Sequence, residues 1–245
     1  MNKKCVMVID TEATGTVPMN SPIPKYMRTY DVGFQVREKR SGLVLLEKSF
    51  VVSDVFYNGP QMDNAYFRDK IPAYKAGIGS KWQVARFGEV RDTVNAVIRT
   101  FGIREIWAYN VAFDRVSLDA TTYDLSNGVV SKFVDRQVEW LDIWPLAQVI
   151  TGTRAYCEWA TDNGYVTATG TPKTNVETVG KWLYGATFGE EHTGLSDVRD
   201  ESLILSECLK RGAKKPTCEG QGYRAALRWA KNTGHYITPS QRNGR

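Results

Sequence analysis

The sequence of 245 residues lacks long hydrophobic runs, and this absence excludes a class of protein at the outset. No apolar run approaches the roughly 18 residues that a membrane-spanning helix needs. Near the N-terminus, Lys3 and Lys4 precede an apolar run at residues 6–9, which is too short for the core of a secretory signal peptide. We therefore expect a soluble protein of the cytoplasm with no membrane partner.

Cysteine and histidine are also scarce, which argues against a zinc site or a disulfide framework. No two cysteines form a Cys-x-x-Cys pair, and none lies beside a histidine at the spacing of zinc ligands. We expect reduced thiols at all four positions, which are Cys5, Cys157, Cys208 and Cys218. The chain has only two histidines, His192 and His235, so a histidine close to an acid in the sequence is less easily explained by chance.

The sequence contains no internal repeat, heptad pattern or low-complexity tract, and its 42% hydrophobic residues suit a large folded core. Charge is distributed unevenly. Residues 209–245 carry nine basic residues and one acidic residue, whereas residues 1–208 carry 23 basic and 26 acidic residues. A basic C-terminal end suggests a polyanionic partner. On charge alone, a solvated tail without a partner is an equally good explanation.

Hydrophobic periodicity predicts an α/β fold with a mixed five-stranded sheet flanked by helices. The predicted strands are 5–10, 30–38, 43–52, 104–110 and 138–144, with a hairpin turn at "KRSG" between the second and third. The predicted helices begin near residues 85, 111, 175, 196 and 223, and the first ends at Gly102. Residues 59–83 read as irregular, with a short helix near 63–70. Asn163-Gly164 predicts a β-hairpin insertion over residues 156–169.

Two carboxylates stand at the end of the first predicted strand. "VMVIDTEATG" places Asp10 and Glu12 two residues apart, so both side chains project from the same side of the strand. Neighbouring carboxylates repel each other unless a cation or a proton intervenes. Oxygen ligands of this kind suit Mg²⁺ or Mn²⁺. An Asp-x-Glu pair also occurs often by chance, so it does not establish a metal site by itself.

Two later segments add acidic residues at comparable positions. In "AYNVAFD", Asn110 ends a predicted strand and Asp114 falls in the first turn of the next helix. In "HTGLSD", His192 precedes by five residues Asp197, which lies in the first turn of another helix. Taken alone, Asp114 is explained better by the helix dipole. Together the segments supply four carboxylates and one histidine, enough to hold two divalent ions and leave one base.

These three segments resemble the motifs of the DEDDh 3′–5′ exonucleases. "VIDTEATG" is similar to the first family motif, "AYNVAFD" to the second, and "HTGLSD" to the third, with its His-x-x-x-x-Asp spacing. The resemblance extends over residues 5–208. It departs from the family pattern at Gly194, where alanine is usual, in a longer segment at 16–29, and in the predicted hairpin and basic tail.

The resemblance implies a ribonuclease H-like domain at residues 1–208, followed by a basic C-terminal extension at 209–245. It implies that two Mg²⁺ or Mn²⁺ ions are held by Asp10, Glu12, Asp114 and Asp197, with His192 as general base. It also implies that the 3′-terminal nucleotide lies against a set of residues near the ions, for which the candidates are Thr11, Ala13, Thr14, Asn110 and Phe113. Burial of Phe113 against the sheet is an equally good explanation of that residue.

The expected partner is a nucleic acid with a free 3′ end, and a single strand is favoured over a duplex. Tyr156, Trp159 and Tyr165 on the predicted hairpin are candidates for base stacking, although cross-strand packing explains them better. A polymerase or another replication or repair protein stays open as a further partner. Two alternatives use the same fold: a nucleic-acid-binding module without catalysis, and an endonuclease.

Overall fold

A computed structural model of the chain describes residues 4–15, 27–215 and 222–238, and its main feature is a mixed sheet. The strands lie in the order β4-β3-β2-β1-β5-β6. The first strand pairs antiparallel with β2 and parallel with β5, as the mixed sheet predicted from the sequence requires. The strands are β1 (Cys5–Thr14), β2 (Arg28–Glu38), β3 (Val44–Val52), β4 (Gln83–Ala85), β5 (Glu105–Ala108) and β6 (Glu139–Asp142).

The predicted count of five strands is wrong, because a sixth strand forms in a segment expected to be irregular. Strand β4 has three residues and pairs parallel with the end of β3, at Phe50 to Val52. Three residues are too few for an alternating pattern, so only the neighbouring strand reveals this element. Residues 59–83 also contain short helices rather than one helix at 63–70.

Eleven α-helices lie within the described residues, with a 3₁₀ helix at Arg68–Lys70. The helix predicted from residue 85 is α4, and Gly102 ends it in the left-handed conformation, as expected. The helices are α1 (Ser53–Phe56), α2 (Gly59–Met62), α3 (Ile71–Gly77), α4 (Phe87–Phe101), α5 (Val111–Leu125), α6 (Ile143–Leu146), α7 (Gln148–Thr151), α8 (Arg154–Asp162), α9 (Val176–Tyr184), α10 (Gly194–Lys210) and α11 (Arg224–Asn232). No helix of the described residues is both long and apolar enough to cross a membrane.

The predicted hairpin at 156–169 is wrong, because its first half is helix α8. Tyr156, Cys157 and Ala160 are buried, and their spacing is that of one helix face. Asn163-Gly164 follows the end of the helix instead of forming a hairpin turn, and Gly164 has a positive φ of 75°. Trp159 therefore stacks on Tyr165 across a helix end, with ring centroids 5.2 Å apart.

The core next to the candidate acids lies on one side of β1 and β2. Met7, Ile9 and Phe34 are fully buried there with residues of α4 and α5, including Val94 and Leu118. Burial of this apolar face fixes the register of β1 and directs its alternate residues to the opposite side. The last residues of β1 are thus held in one place by packing along the rest of the strand.

The chain divides into two compact units. The first contains residues 1–141 and 191–199, and the second contains residues 142–190 and 200–245. All four candidate acids and His192 belong to the first unit. The second unit contains helices α6 to α9 and α11. A boundary at residues 208/209 between a nuclease domain and a basic extension stays a prediction.

Candidate active site

Three carboxylates meet at the C-terminal part of β1. Asp10 and Glu12 lie two residues apart on this strand, and Asp197 comes from the first turn of α10. One carboxylate oxygen from each lies within 4.8 Å of the others. Glu12 and Asp197 are both buried, with 5% of each residue exposed. The structure therefore brings together three acids that are up to 187 positions apart in the sequence.

The loop before α10 places His192 next to Asp197. The His192 backbone N–H donates to Asp197 Oδ1 over 3.2 Å, and the ring Nδ1 lies 3.9 Å from Asp197 Oδ2. His192 adopts a positive φ of 54°, a conformation that is uncommon for residues other than glycine. Its side chain remains 36% exposed, so the ring lies beside the acid cluster and also reaches solvent.

An aromatic residue that sequence reasoning missed fixes the plane of the histidine ring. Phe67 stacks on His192 with centroids 4.2 Å apart and an interplanar angle of 8°. The segment before Phe67 follows the end of β1, since Ala65 bridges to Thr14 and the Gly15 N–H donates to Asn64 O over 2.8 Å. No periodicity in residues 59–83 indicates this contact, because it depends on tertiary structure alone.

Asp114 reaches the same strand from the first turn of α5. The N–H and the hydroxyl of Thr11 both donate to Asp114 Oδ1, over 2.9 and 3.0 Å. The Thr11 hydroxyl also lies 2.9 Å from that of Ser117. Asp114 is buried and is attached to the residue between Asp10 and Glu12. Its carboxylate belongs to this end of β1, although it is not among the three acids within 4.8 Å.

A fifth acid, Asp31, holds the third motif in place. Asp31 is fully buried on β2, and its Oδ2 accepts from the Tyr74 hydroxyl over 2.5 Å and from the Gly194 N–H over 2.8 Å. Burial raises the pKa of Asp31 to about 6, although both hydrogen bonds lower it. The Gly194 bond fastens the N-terminus of α10, and therefore Asp197, to the sheet. Sequence reasoning missed Asp31, which lies in an ordinary strand, and Tyr74, which lies in α3 within a segment predicted to be irregular.

Two glycines allow α10 to approach the sheet closely. A Cβ added at Gly33 would lie 2.1 Å from the Leu195 N and 2.2 Å from the Gly194 carbonyl carbon. A Cβ at Gly194 would lie 2.7 Å from the Gly33 N and 3.1 Å from the Asp10 O. The obstructing atoms are backbone, so they cannot rotate away. This contact explains why glycine stands at 194, where the resembled family usually has alanine.

The five candidate substrate residues differ in exposure. Thr11, Ala13 and Thr14 are buried in β1, and the Thr14 hydroxyl accepts from the Arg28 N–H over 3.1 Å. Asn110 is exposed at the N-cap of α5, with a left-handed φ of 65°. Phe113 is half-buried, and its N–H donates to the Asn110 carbonyl over 2.9 Å. A role in substrate binding stays a prediction for all five.

The donor set of the site fits a hard divalent cation. Asp10, Glu12 and Asp197 offer carboxylate oxygens, which suit Mg²⁺ and Mn²⁺ better than softer metals. Like charges at this separation repel each other, so a bound cation relieves an unfavourable interaction. The cluster accordingly favours divalent cation binding over a purely structural role.

Comparison with known proteins identifies the fold. No protein-family model and no curated protein matches the sequence. Among solved structures, the chain is similar to the nuclease domain of 3′hExo, a DEDDh family member bound to rAMP, with a TM-score of 0.56 and 12% identity. That match covers 89% of this chain and 97% of the other. A full-length 3′-exonuclease gives a TM-score of 0.57 at 12% identity and covers 91% and 90% of the two chains.

A third similar structure is the E. coli ExoI–ssDNA complex in its zinc-bound form. Its TM-score is 0.55 at 13% identity, and the match covers 85% of this chain but only 41% of that chain. These likenesses define the class: a mixed α/β fold with a six-stranded sheet, shared with DEDDh 3′–5′ exonucleases. At such low identity they show the fold alone, and the activity of this chain is argued from its own residues.

Proposed function

We propose that this chain is a metal-dependent 3′–5′ exonuclease of the DEDDh type, with a ribonuclease H-like fold, which releases nucleoside 5′-monophosphates from DNA or RNA. The observation that carries the proposal is the approach of Asp10, Glu12 and Asp197 oxygens to within 4.8 Å of one another. These acids come from the segments that resemble the first and third family motifs. Asp114, from the second, is attached to the same strand through Thr11.

Asp10, Glu12, Asp114 and Asp197 would hold two Mg²⁺ or Mn²⁺ ions. When bound, such ions stabilise the negative charge that develops during phosphodiester hydrolysis and make water more acidic. The acids would hold the cations in position, and hydrogen bonds hold the acids. The Thr11 N–H fixes Asp114, and Asp31 fixes the start of α10 by accepting from the Gly194 N–H. This support matters because small displacements of catalytic groups reduce rates strongly.

His192 is the proposed general base, which accepts a proton from the attacking water. Histidine is the side chain that serves most often in general acid–base catalysis near neutral pH. Stacking on Phe67 limits rotation of the ring, and the bond from the His192 N–H to Asp197 fixes its backbone. The partly exposed ring can then pass the proton to solvent.

The terminal nucleotide is proposed to contact β1 near Thr11, Ala13 and Thr14, with Asn110 and Phe113 beside it. Phe113 is half-buried, so part of its ring remains accessible for packing against a base. A single strand is the favoured substrate. The proposed substrate is DNA or RNA, with no preference between them. A polymerase partner and a cytoplasmic location stay predictions from the sequence.

The first experiment follows a 5′-labelled oligonucleotide over time with Mg²⁺ or Mn²⁺, as single strand and duplex, in DNA and RNA. We expect a ladder that shortens from the 3′ end and release of nucleoside 5′-monophosphates. Asp10→Ala should abolish the ladder, whereas Asp92→Ala, at an acid with 81% of its side chain exposed on α4, should leave it unchanged. Binding without any metal-dependent cleavage would favour the non-catalytic module, and cleavage of a closed circle would favour the endonuclease.

The second experiment separates the base from the metal ligands. His192→Ala should lower kcat by about 10²- to 10⁴-fold, the usual contribution of a general base. Calorimetry should detect nearly unchanged Mn²⁺ binding in this variant and lost binding in Asp10→Ala. If both variants lose Mn²⁺ equally, His192 is a ligand and the base assignment is wrong.

A further inference from the structure

Helix α11, in the second unit, presents a basic surface. Arg224, Arg228 and Lys231 are all exposed and follow one another at spacings of four and three residues. At 3.6 residues per turn, the three side chains fall within roughly 60° of the helix circumference. The buried residues Ala226 and Ala230 lie on the opposite face. The helix therefore packs through alanines and directs a stripe of positive charge to solvent, here called the α11 stripe.

The charges of the α11 stripe are not neutralised by acidic neighbours. Within the described parts of the chain, none of its three residues forms an ion pair with a carboxylate. Residues 222–238 contain no aspartate or glutamate at all. A stripe of uncompensated charge raises the local concentration of anions and favours their binding.

Basic residues on other helices of the same unit differ in this respect. Arg154 lies 2.6 Å from Glu158, Lys181 lies 2.7 Å from Glu177, and Arg211 lies 2.9 Å from Glu207. Such a pair one turn apart stabilises the helix on which it lies. The absence of this pairing in α11 distinguishes its surface from ordinary solvated helices of the unit.

Aromatic rings lie on the same short segment as the α11 stripe, although at 3.6 residues per turn Trp229 falls roughly 130° from the middle of the stripe. Tyr223, at the N-cap of the helix, is 42% exposed. Trp229 is half-buried and stacks on the exposed ring of His235, with centroids 4.8 Å apart. Lys231 Nζ lies 5.2 Å from the centroid of the Tyr236 ring. Rings and basic side chains on one segment are the combination with which proteins bind single-stranded nucleic acids, because bases stack on the rings and phosphates pair with the cations. A duplex would offer phosphates but no unstacked bases.

We infer that the α11 stripe binds the phosphate backbone of a single-stranded nucleic acid through Arg224, Arg228 and Lys231. The three charges span about 10 Å of helix axis, a length comparable with two or three phosphates of a strand. The inference deepens the proposed nuclease function and rests on it for the choice of nucleic acid. It assigns to the second unit a binding role separate from the acid cluster of the first.

The test measures binding without hydrolysis. Fluorescence anisotropy with a 5′-labelled 20-nucleotide single strand, in EDTA and at several NaCl concentrations, compares the full chain with the triple variant Arg224→Gln, Arg228→Gln and Lys231→Gln. We expect Kd to rise at least 10-fold at 0.1 M salt. The slope of log K against log salt should fall in magnitude by about 2, since each lost phosphate contact removes ~0.7 for a single strand.

A matched control separates the stripe from overall charge. The variant Arg99→Gln, Arg154→Gln and Arg211→Gln loses the same three charges, but each of its residues pairs with an acid. This control should change Kd less than threefold. Equal weakening in both variants, or an unchanged slope in the α11 variant, overturns the inference. Tighter binding of a blunt duplex than of the single strand overturns the assignment to single strands.

The inference and the proposed function can fail separately. Hydrolysis of a dinucleotide in Mg²⁺ tests the acid cluster and should be unaffected by the α11 variant. Stripe-dependent binding without hydrolysis of any substrate would reject the nuclease and keep the α11 surface. Hydrolysis together with binding that does not depend on the stripe would keep the nuclease function and reject the α11 surface.

Discussion

The two ends of β1 differ in the groups that surround buried carboxylates. At its beginning, Glu105 on the neighbouring strand lies 2.6 Å from Lys4 and 2.6 Å from Lys39, and Trp107 donates a further bond over 3.2 Å. At its other end, the oxygens of Asp10 and Glu12 approach that of Asp197 to within 4.8 Å. One acid is surrounded by cations, and the others face one another.

The difference shows how a structural acid can be distinguished from a functional one. Burial tends to raise the pKa of Glu105, but hydrogen bonds and charges from Lys39 and Lys4 outweigh it and lower the pKa to about 2. At that end of the strand, the ion pairs of Glu105 with Lys4 and Lys39 stabilise the fold. Clustered acids at the opposite end repel one another, and a bound cation or proton relieves that repulsion. Mutations at the two ends should therefore have opposite effects on activity and stability.

The largest expected effect is on activity, in Asp10→Asn. Removal of a metal ligand should lower the rate of 3′ hydrolysis at least ~1000-fold, equivalent to about 4 kcal/mol of transition-state stabilisation. The free energy of unfolding without metal should stay unchanged or rise, because repulsion within the cluster decreases. Glu105→Gln is the matched control and should retain activity within about twofold. Comparable losses of activity in both variants would remove the distinction between the two ends.

A smaller effect is expected from Gly33→Ala, which tests how the cluster is assembled. The new methyl group would overlap the backbone of Gly194 and Leu195, so α10 must move away from the sheet. Overpacking of this kind costs about 1–3 kcal/mol of stability, and displacement of Asp197 should lower activity by about 10²-fold. Denaturant unfolding and single-turnover kinetics measure the two quantities.

Gly88→Ala provides the control for that substitution. No atom lies within 4 Å of the added Cβ, and the residue is helical, so alanine should stabilise α4 by up to about 1 kcal/mol. Wild-type activity is expected. If Gly33→Ala behaves like Gly88→Ala, the close approach of α10 is not needed to position Asp197.

The smallest effect concerns stability alone and sharpens the comparison by its pH dependence. Glu105→Gln should cost about 1–3 kcal/mol at pH 7, the usual value of hydrogen bonds to a charged group. The pKa of Glu105 is lowered from 4.5 to about 2 on folding, so its contribution is complete above the unfolded value. It is then lost as pH falls towards 2. Urea denaturation of the wild-type protein and of Glu105→Gln at several pH values measures the free energy of unfolding. The two values should converge in acid, and a difference that stays constant with pH would contradict the ion-pair explanation.

The similarity to solved exonuclease structures, which covers 89% of the chain in one match and 91% in another, agrees with the resemblance predicted from the sequence. The first strand, the helix that begins after Asn110 and the helix carrying Asp197 were all located from periodicity and motif spacing, although β1 continues to Thr14 instead of ending at residue 10. Local patterns suffice for such elements, because burial of one face repeats at a fixed interval along the chain. Residues 16–26, part of the segment noted as longer than usual, lie outside the described residues.

The order of acids and histidine, and the elements that carry them, were determined by the sequence itself, since each depends on neighbours a few positions away. Tertiary structure alone decided that Gly194 and Tyr74 both donate to Asp31, that Phe67 stacks on His192, and that α8 replaces a hairpin. The first two join positions as distant as 163 residues, for which no local pattern exists. The formation of α8 depended on packing. Asn-Gly occurs both in hairpin turns and after helix ends, and burial of the neighbouring residues determines which of the two forms.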